Sequence, residues 1–334
     1  MILTSISLQN FRSYVKVKFD LEPTTVVIGP NGSGKSNLVE AIYLLATGKS
    51  FRADRDNEMV TYDQTFAKAK GITAENELEV ILNDRKKFEV NGVARRMIDF
   101  VGRIRAVLFA PQDLDLVTGS PSTRRRYLDF VISQADREYR RCLISYEKGL
   151  RQRNKLLDLI REGLADRNQL FFWDRLLIKN GEYLSLKRSE YLQALPEDPA
   201  YKAEYDQSII SQARLEQYAQ EEVAAASTLV GPHRDDFIVN YKNRDVSKFG
   251  SRGEQRMAVL WLKTGELKYL DIGTKPLLLL DDIFSELDRS HRNEVMHLVD
   301  EHMHLGGQII LTTADEEVLP KINGGKINLS SVEK

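Results

Sequence analysis

Along the first twenty residues apolar and polar positions alternate. Ile2, Thr4, Ile6 and Leu8 share one side, and Val15, Val17 and Phe19 resume after a break at Asn10–Tyr14, a period of two that predicts a hairpin. Thr25-Val-Val-Ile28 reads as a buried strand, and residues 37–48 as an amphipathic helix stopped by Gly48. Residues 78–93 are strand-rich, with Asn91-Gly92 as a turn signal, and Ile104–Phe109 is a further strand ending at Ala110-Pro111-Gln112. The period then changes. Between Pro121 and Pro196 there is no proline; Leu128, Ile132, Ala135, Tyr139, Cys142, Tyr146 and Leu150 recur at steps of three and four, as do Leu170, Trp173, Leu177, Gly181 and Leu184. Two long helices joined near residues 163–168 are expected, each roughly 40–50 Å long, with the leucine and aromatic stripe as their core. From Gly231 the mixed pattern returns: a helix over 255–271, a strand after Pro276, a helix over 287–305 stopped by Gly306-Gly307, and a strand over 308–313. This is an α/β lobe, residues 1–119 and 226–334, split by an α-helical arm at 120–225.

Composition narrows the class. The chain has 334 residues, 42% hydrophobic and 29% charged, as expected of a soluble globular protein with a large core. A net charge of −1 leaves any nucleic-acid surface to local clustering. The single cysteine, Cys142, falls on the apolar side of a helix and permits no intrachain disulfide. No segment reads as a signal peptide or membrane span, so a cytoplasmic location with no membrane partner is expected. His297, His302 and His304 lack metal-ligand spacing and read as surface residues.

The candidate chemistry begins at Gly29-Pro30-Asn31-Gly32-Ser33-Gly34-Lys35-Ser36, a complete G-x-x-x-x-G-K-[ST] loop between a strand and the helix begun by Asn37. Glycines let successive N–H groups converge on an anion, and the helix N-terminus adds partial positive charge. Lys35 is placed to neutralise the β- and γ-phosphates of ATP and Ser36 to hold Mg²⁺. Leu277-Leu-Leu-Leu280-Asp281-Asp282 is an apolar strand ending in two acids, where parallel sheets place ligands. Asp281 is the metal candidate and Asp282 the carboxylate that polarises water. Gln112, after a strand, is a candidate for reporting Mg²⁺ and the γ-phosphate. Ser251-Arg-Gly253-Glu-Gln255 opens a helix and is either a second anion site or an ordinary N-cap.

In order, Leu8-Gln-Asn-Phe-Arg-Ser-Tyr14, the phosphate loop, Gln112, Ser251–Gln255 and Leu277–Asp282 followed by Ser285-Glu-Leu-Asp288 resemble the ABC-type P-loop ATPase heads of the SMC kind: a mixed β-sheet with flanking helices, here split by the helical lobe. Gly231-Pro-His-Arg-Asp-Asp-Phe237 and Arg124-Arg-Arg-Tyr-Leu-Asp129 narrow the resemblance to the RecF family. It implies that Arg12 contacts nucleotide and that Ser251 and Gly253 reach the γ-phosphate of a partner copy, so that ATP joins two heads. It further implies slow ATP hydrolysis, binding of double-stranded and gapped DNA, and work with RecR and RecO in loading recombinase. The chain departs from the broader pattern at Asp282, where glutamate is usual, at Thr313-Ala314, where a switch histidine is usual, and at Glu254, an acid that must turn away if a phosphate is to approach Ser251.

The arm is the basic region: residues 121–190 hold sixteen Lys or Arg against ten Asp or Glu. Arg124, Arg125, Arg126, Arg140, Arg141 and Arg151 are the DNA candidates, reading backbone rather than bases; a solvated face with internal pairs is the alternative. Two other classes fit the phosphate loop, a transporter's nucleotide-binding subunit and a P-loop kinase. The first leaves the basic arm without a role, the second the Ser251–Gln255 turn.

Overall fold

A computed structural model describes residues 2–285, 289–314 and 324–329; Glu286-Leu-Asp288 of the SMC-like motif lies outside them. The strands are β1 (Leu3–Phe11), β2 (Tyr14–Asp20), β3 (Thr24–Ile28), β4 (Ala67–Thr73), β5 (Glu77–Leu82), β6 (Lys87–Val90), β7 (Val93–Arg95), β8 (Ala106–Phe109), β9 (Tyr201–Asp206), β10 (Asp236–Tyr241), β11 (Arg244–Asp245), β12 (Leu277–Asp281), β13 (Ile309–Thr313) and β14 (Gly325–Asn328). The long helices are α1 (Lys35–Thr47), α2 (Pro121–Ala135), α3 (Arg137–Arg161), α4 (Phe171–Gln193), α5 (Arg252–Leu270) and α6 (Arg289–His304). The chain divides into two compact units, residues 1–113 with 262–334, and residues 114–261.

In the first unit parallel and antiparallel strands segregate. One sheet runs β14-β3-β13-β12-β8, every adjacent pair parallel; the other runs β2-β1-β4-β5-β6-β7, antiparallel throughout. Helix α1 packs on strands of both, which is why it is buried from Leu38 to Thr47 on every side rather than amphipathic as its sequence suggests. The predicted hairpin forms, but its inner face differs. A register shift between Leu3 and Ser5 in the β1–β4 ladder buries Leu3 and Ser5 with Ile6 and Leu8 and leaves Ile2 exposed; a bulge of this kind exchanges the faces of a strand. At the Asn91-Gly92 turn both residues have positive φ (52° and 72°), as a two-residue hairpin turn requires. His302 corrects the surface reading of the histidines: it is buried, its Nε2 2.9 Å from the carbonyl of Pro276.

The second unit is helical with a small sheet, β11-β10-β9. The first periodic series is two helices, not one. Asp136 ends α2 and caps α3, its carboxylate accepting from the N–H of Tyr139 at 2.9 Å. A three–four periodicity runs on through such a break, so the sequence does not reveal it. The 25 residues of α3 and 23 of α4 are each about 35–38 Å long, shorter than expected. Strand β9 is a further departure from the all-helical reading of this stretch.

Candidate nucleotide and DNA sites

The phosphate loop leaves β3 and enters α1 at the C-terminal edge of the parallel sheet. Gly32 and Gly34 have φ of 79° and 101°, a region closed to most side chains. A Cβ at Gly34 would lie 2.8 Å from the hydroxyl of Tyr14, which donates to the Gly34 carbonyl at 3.0 Å. Lys35 is buried and curls over its own loop, donating to the carbonyls of Gly29 (2.8 Å) and Pro30 (3.2 Å). Among the described residues the buried hydroxyl of Ser33 has no hydrogen-bond partner, the orphan expected of a cradle built for an anion. A Cβ at Gly29 would sit 2.5 Å from that hydroxyl, so the first glycine makes room for it.

Across the sheet edge, Asp281 ends β12. One carboxylate oxygen accepts from Ser36 Oγ at 3.0 Å and from Thr312 Oγ1 at 2.8 Å. Burial raises the pKa of Asp281, against the lowering effect of the Thr312 and Ser36 bonds and of the Arg52 charge. Asp282 follows with left-handed backbone, φ 52°, its N–H donating to the carbonyl (3.2 Å) and hydroxyl (3.0 Å) of Thr312. Gln112 is exposed, in the 3-10 turn Pro111–Leu114 after β8, at the same edge. The N–H of Gly29 donates to the Thr313 carbonyl at 3.3 Å, so the residues at the switch position brace the loop's start.

Arg12 sits at the hairpin turn with φ 54° and forks onto Glu40 of α1, Nε at 2.8 Å and Nη2 at 2.7 Å. Arg52 grips the same carboxylate at 3.0 and 2.7 Å and also donates to Asn37; Asn37 donates to Ser13 at 2.8 Å. Burial opposes charge on Glu40, but the bonds from Arg12, Arg52 and Ser50 outweigh it and hold its pKa below the usual carboxylate range. Sequence reasoning missed Arg52 and Glu40. The available signal was a lone acid on a helix whose other faces are apolar, one turn after Asn37.

Ser251 and Gly253 belong to the second unit, where Ser251-x-x-Glu254 forms a capping box. The Glu254 carboxylate accepts from the Ser251 N–H (2.7 Å) and hydroxyl (2.9 Å), and the Glu254 N–H returns to the hydroxyl at 3.3 Å. Glu254 therefore turns back onto Ser251 rather than outward.

The Gly231–Phe237 motif serves packing inside the second unit. Asp235, fully buried, accepts from Ser185 (3.0 Å), Arg188 (3.1 Å), Tyr205 and the Ser208 N–H (2.8 Å). Asp236 pairs bidentately with Arg124 at 2.6 and 2.8 Å. His233 Nδ1 lies 2.8 Å from the Tyr146 hydroxyl, and burial lowers its pKa to about 4. Most of the predicted DNA arginines are likewise held internally. Arg124 also donates to the Gly119 carbonyl and Arg125 to the Asp235 carbonyl. Arg140 is buried and donates to the Ser133 carbonyl, Arg126 lies over Phe130, and Arg141 pairs with Glu138 at 2.6 Å. Arg151 is exposed. It shares one face of α3 with the exposed Arg137, Arg141, Lys148 and Lys155, a stripe about 27 Å long at helical rise.

Residues 2–330 match the family model described as RecF/RecN/SMC N terminal domain. A protein of Moorella thermoacetica named DNA replication and repair protein RecF is 37% identical, over 95% of this chain and 91% of that one. One of the same name from Roseiflexus castenholzii is 37% identical over 90% and 91%. Among solved structures, the recombination mediator protein RecF with ATP, of the RecFOR pathway, is similar with a TM-score of 0.88 at 30% identity, over 99% of this chain and 96% of that one. The Smc head of Pyrococcus furiosus bound to the C-terminal domain of ScpA is similar in fold, with a TM-score of 0.51 at 17% identity over 95% and 90%.

Proposed function

The chain belongs to the RecF family within the RecF/RecN/SMC group, and from this premise we propose that it is a DNA repair and replication protein in which ATP joins two copies around duplex or gapped DNA and slow hydrolysis parts them. The observation that carries the reading is the Ser36–Asp281 hydrogen bond, 3.0 Å, which unites the phosphate loop with the acidic end of β12 on one sheet edge.

Each group has a chemical task. The glycine turn and the α1 N-terminus bind the triphosphate, and Lys35 exchanges two carbonyls for phosphate oxygens. Ser36 and Asp281 are hard oxygen donors that fit Mg²⁺, which when bound offsets phosphate charge; two protein donors, with Gln112 as a third, leave the rest of its shell to phosphate and water. Asp282 orients and deprotonates the attacking water. An aspartate reaches about one methylene less far than glutamate, in keeping with slow turnover. Arg12 and Arg52, aimed by Glu40, add positive charge beside the loop. The turn at Ser251 and Gly253 covers the partner copy's γ-phosphate, and Glu254 must release Ser251 for that to happen. DNA is held by the exposed face of α3 rather than by the arginines packed inside the unit. RecR and RecO are the expected protein partners by family. Membership of this family sets aside the transporter and kinase alternatives.

The test is sedimentation of the full chain with and without MgATP, wild type beside Asp282→Asn. The variant is expected to bind ATP, form a persistent dimer and release phosphate at least about 100-fold more slowly. A strictly monomeric Asp282→Asn at saturating ATP would overturn the proposal.

A further inference from the structure

Strand β9 ends the sheet β11-β10-β9, so one of its sides has no neighbouring strand. Its pairing with β10 decides which backbone groups face that side. The Lys242 N–H donates to the carbonyl of Ala200, directly opposite it, at 2.8 Å. Bonded and unbonded pairs alternate along an antiparallel ladder. Lys202, Glu204 and Asp206 therefore turn their N–H and C=O to β10, and Tyr201, Ala203 and Tyr205 turn theirs outward. The outward N–H of Tyr201 is met by the Asp198 carboxylate at 3.0 Å. The N–H and C=O of Ala203 and of Tyr205 have no protein partner among the described residues, although both residues are half-buried. Sheets blunt such an edge with a proline, a bulge or a covering segment; here Ala203 and Tyr205 instead line a groove of about 850 Å³. Leu192, Leu195, Tyr201 and Trp261 make its apolar floor. That floor is fixed: the Trp261 indole donates to the Pro196 carbonyl at 2.9 Å, and Tyr201 stacks on the same ring. The rim carries the exposed acids Glu197 and Asp198 against one lysine, Lys202. All of these residues belong to the second unit.

We propose that the open edge of β9 is a docking site for an extended segment of a protein partner, which adds as a fourth strand and sets an apolar side chain in the groove and a basic one beside Glu197 and Asp198. Ala203 and Tyr205 offer two donors and two acceptors at the two-residue spacing that an added strand matches. Main-chain bonds hold any sequence; the aromatic floor and the acidic rim choose among sequences. A helix spends its own N–H and C=O groups internally and leaves these four unmet, and the acids at the rim repel a nucleic acid backbone. A second copy pairing β9 with β9 would bring its own Glu197, Asp198, Glu204 and Asp206 to the same edge, like charge beside like charge. The site uses no residue given a nucleotide or DNA role above and stands apart from that reading.

The experiment selects a phage-displayed library of random octapeptides on the full chain. Synthetic copies of the enriched peptides are then measured by fluorescence polarisation on wild type, Ala203→Pro and Glu197→Lys. Proline at 203 removes an outward N–H that the β10 ladder does not use, the kind of strand position that accepts it. Enriched peptides are expected to combine an apolar residue with a basic one and to bind wild type with a Kd of about 10–100 µM. Ala203→Pro should weaken them at least about tenfold, and Glu197→Lys about fivefold. Amide exchange followed by NMR at saturating peptide should slow at least about tenfold at Ala203 and Tyr205 and much less at Lys202 and Glu204, which β10 already holds. Simple burial of an adhesive surface does not give that alternation. Should Ala203→Pro not fold, the alternation and Glu197→Lys carry the test. The proposal is overturned if no peptide is enriched, if folded Ala203→Pro binds as tightly as wild type, or if exchange slows evenly along residues 201–206. It is also overturned if wild type, sedimented without ATP or peptide, self-associates in a way that Ala203→Pro abolishes, since the occupant is then a second copy.

Discussion

At the scale of single residues, backbone conformation decides what the site accepts. Gly34→Ala would force an L side chain to φ 101° and press its Cβ on Tyr14, a strain of about 1–3 kcal/mol. Titration with a fluorescent ATP analogue should show affinity reduced at least about tenfold, while circular dichroism stays native. At Asp282 the φ of 52° suits Asp and Asn better than other residues. The Asp282→Asn variant therefore isolates chemistry from folding, and the aspartate here suits both the backbone and the reaction. The loop, Asp281 and Asp282 were legible in the sequence because each motif is contiguous and its chemistry depends on local backbone. Glu40 and Arg52 were not, because their pairing with Arg12 joins three separate segments. The Ser251–Glu254 box is the N-cap that the sequence offers as the alternative for this turn, with the S-x-x-E spacing as its signal.

Among the elements, α3 carries the clearest division of labour. Its inner arginines act within the unit: Arg153, 2% exposed, pairs with Asp174 and Glu222 at 2.7 Å each, while the outer stripe meets solvent. Replacing Arg137, Lys148, Arg151 and Lys155 together by Gln should lower the slope of log affinity for duplex DNA against log salt by up to about 3–4, with little change in melting. Arg124→Gln should do the reverse, lowering stability by about 2–4 kcal/mol by stranding Asp236, with the salt slope unchanged. The sequence showed that the arm is basic but not which arginines face inward, since that depends on Asp235 and Asp236 arriving from a hundred residues downstream. The helical period itself was legible, whereas the break at Asp136 was hidden by the period's continuity, and β9 by its charged composition and lack of β-branched residues.

For the whole molecule, two buried groups, one in each unit, answer acidity in opposite senses. Glu266, in the first unit, has its pKa raised from 4.5 to about 7. Its contribution is full below pH 4.5 and lost as pH rises through about 7. His233, in the second, is lowered from 6.5 to about 4. Its contribution is present above pH 6.5 and lost as pH falls through about 4. Each is worth at most about 3 kcal/mol. Hydrogen exchange followed by unit from pH 5 to 8 should show that Glu266→Gln removes a loosening of the first unit, which the lowered pKa of His302 opposes, and that His233→Asn removes a tightening of the second. The order of strands has a temporal consequence. β3, which leads into the phosphate loop, lies between β13 and β14, and β8 has β12 as its neighbour, so every partner of these strands comes from beyond residue 276. On the ribosome the loop waits, its strand unpaired, until the residues beyond 276 have emerged. The helical unit, contiguous in sequence, has no such delay. A nascent chain halted after residue 261 would carry a complete phosphate-loop sequence and still lack the sheet that gives it shape.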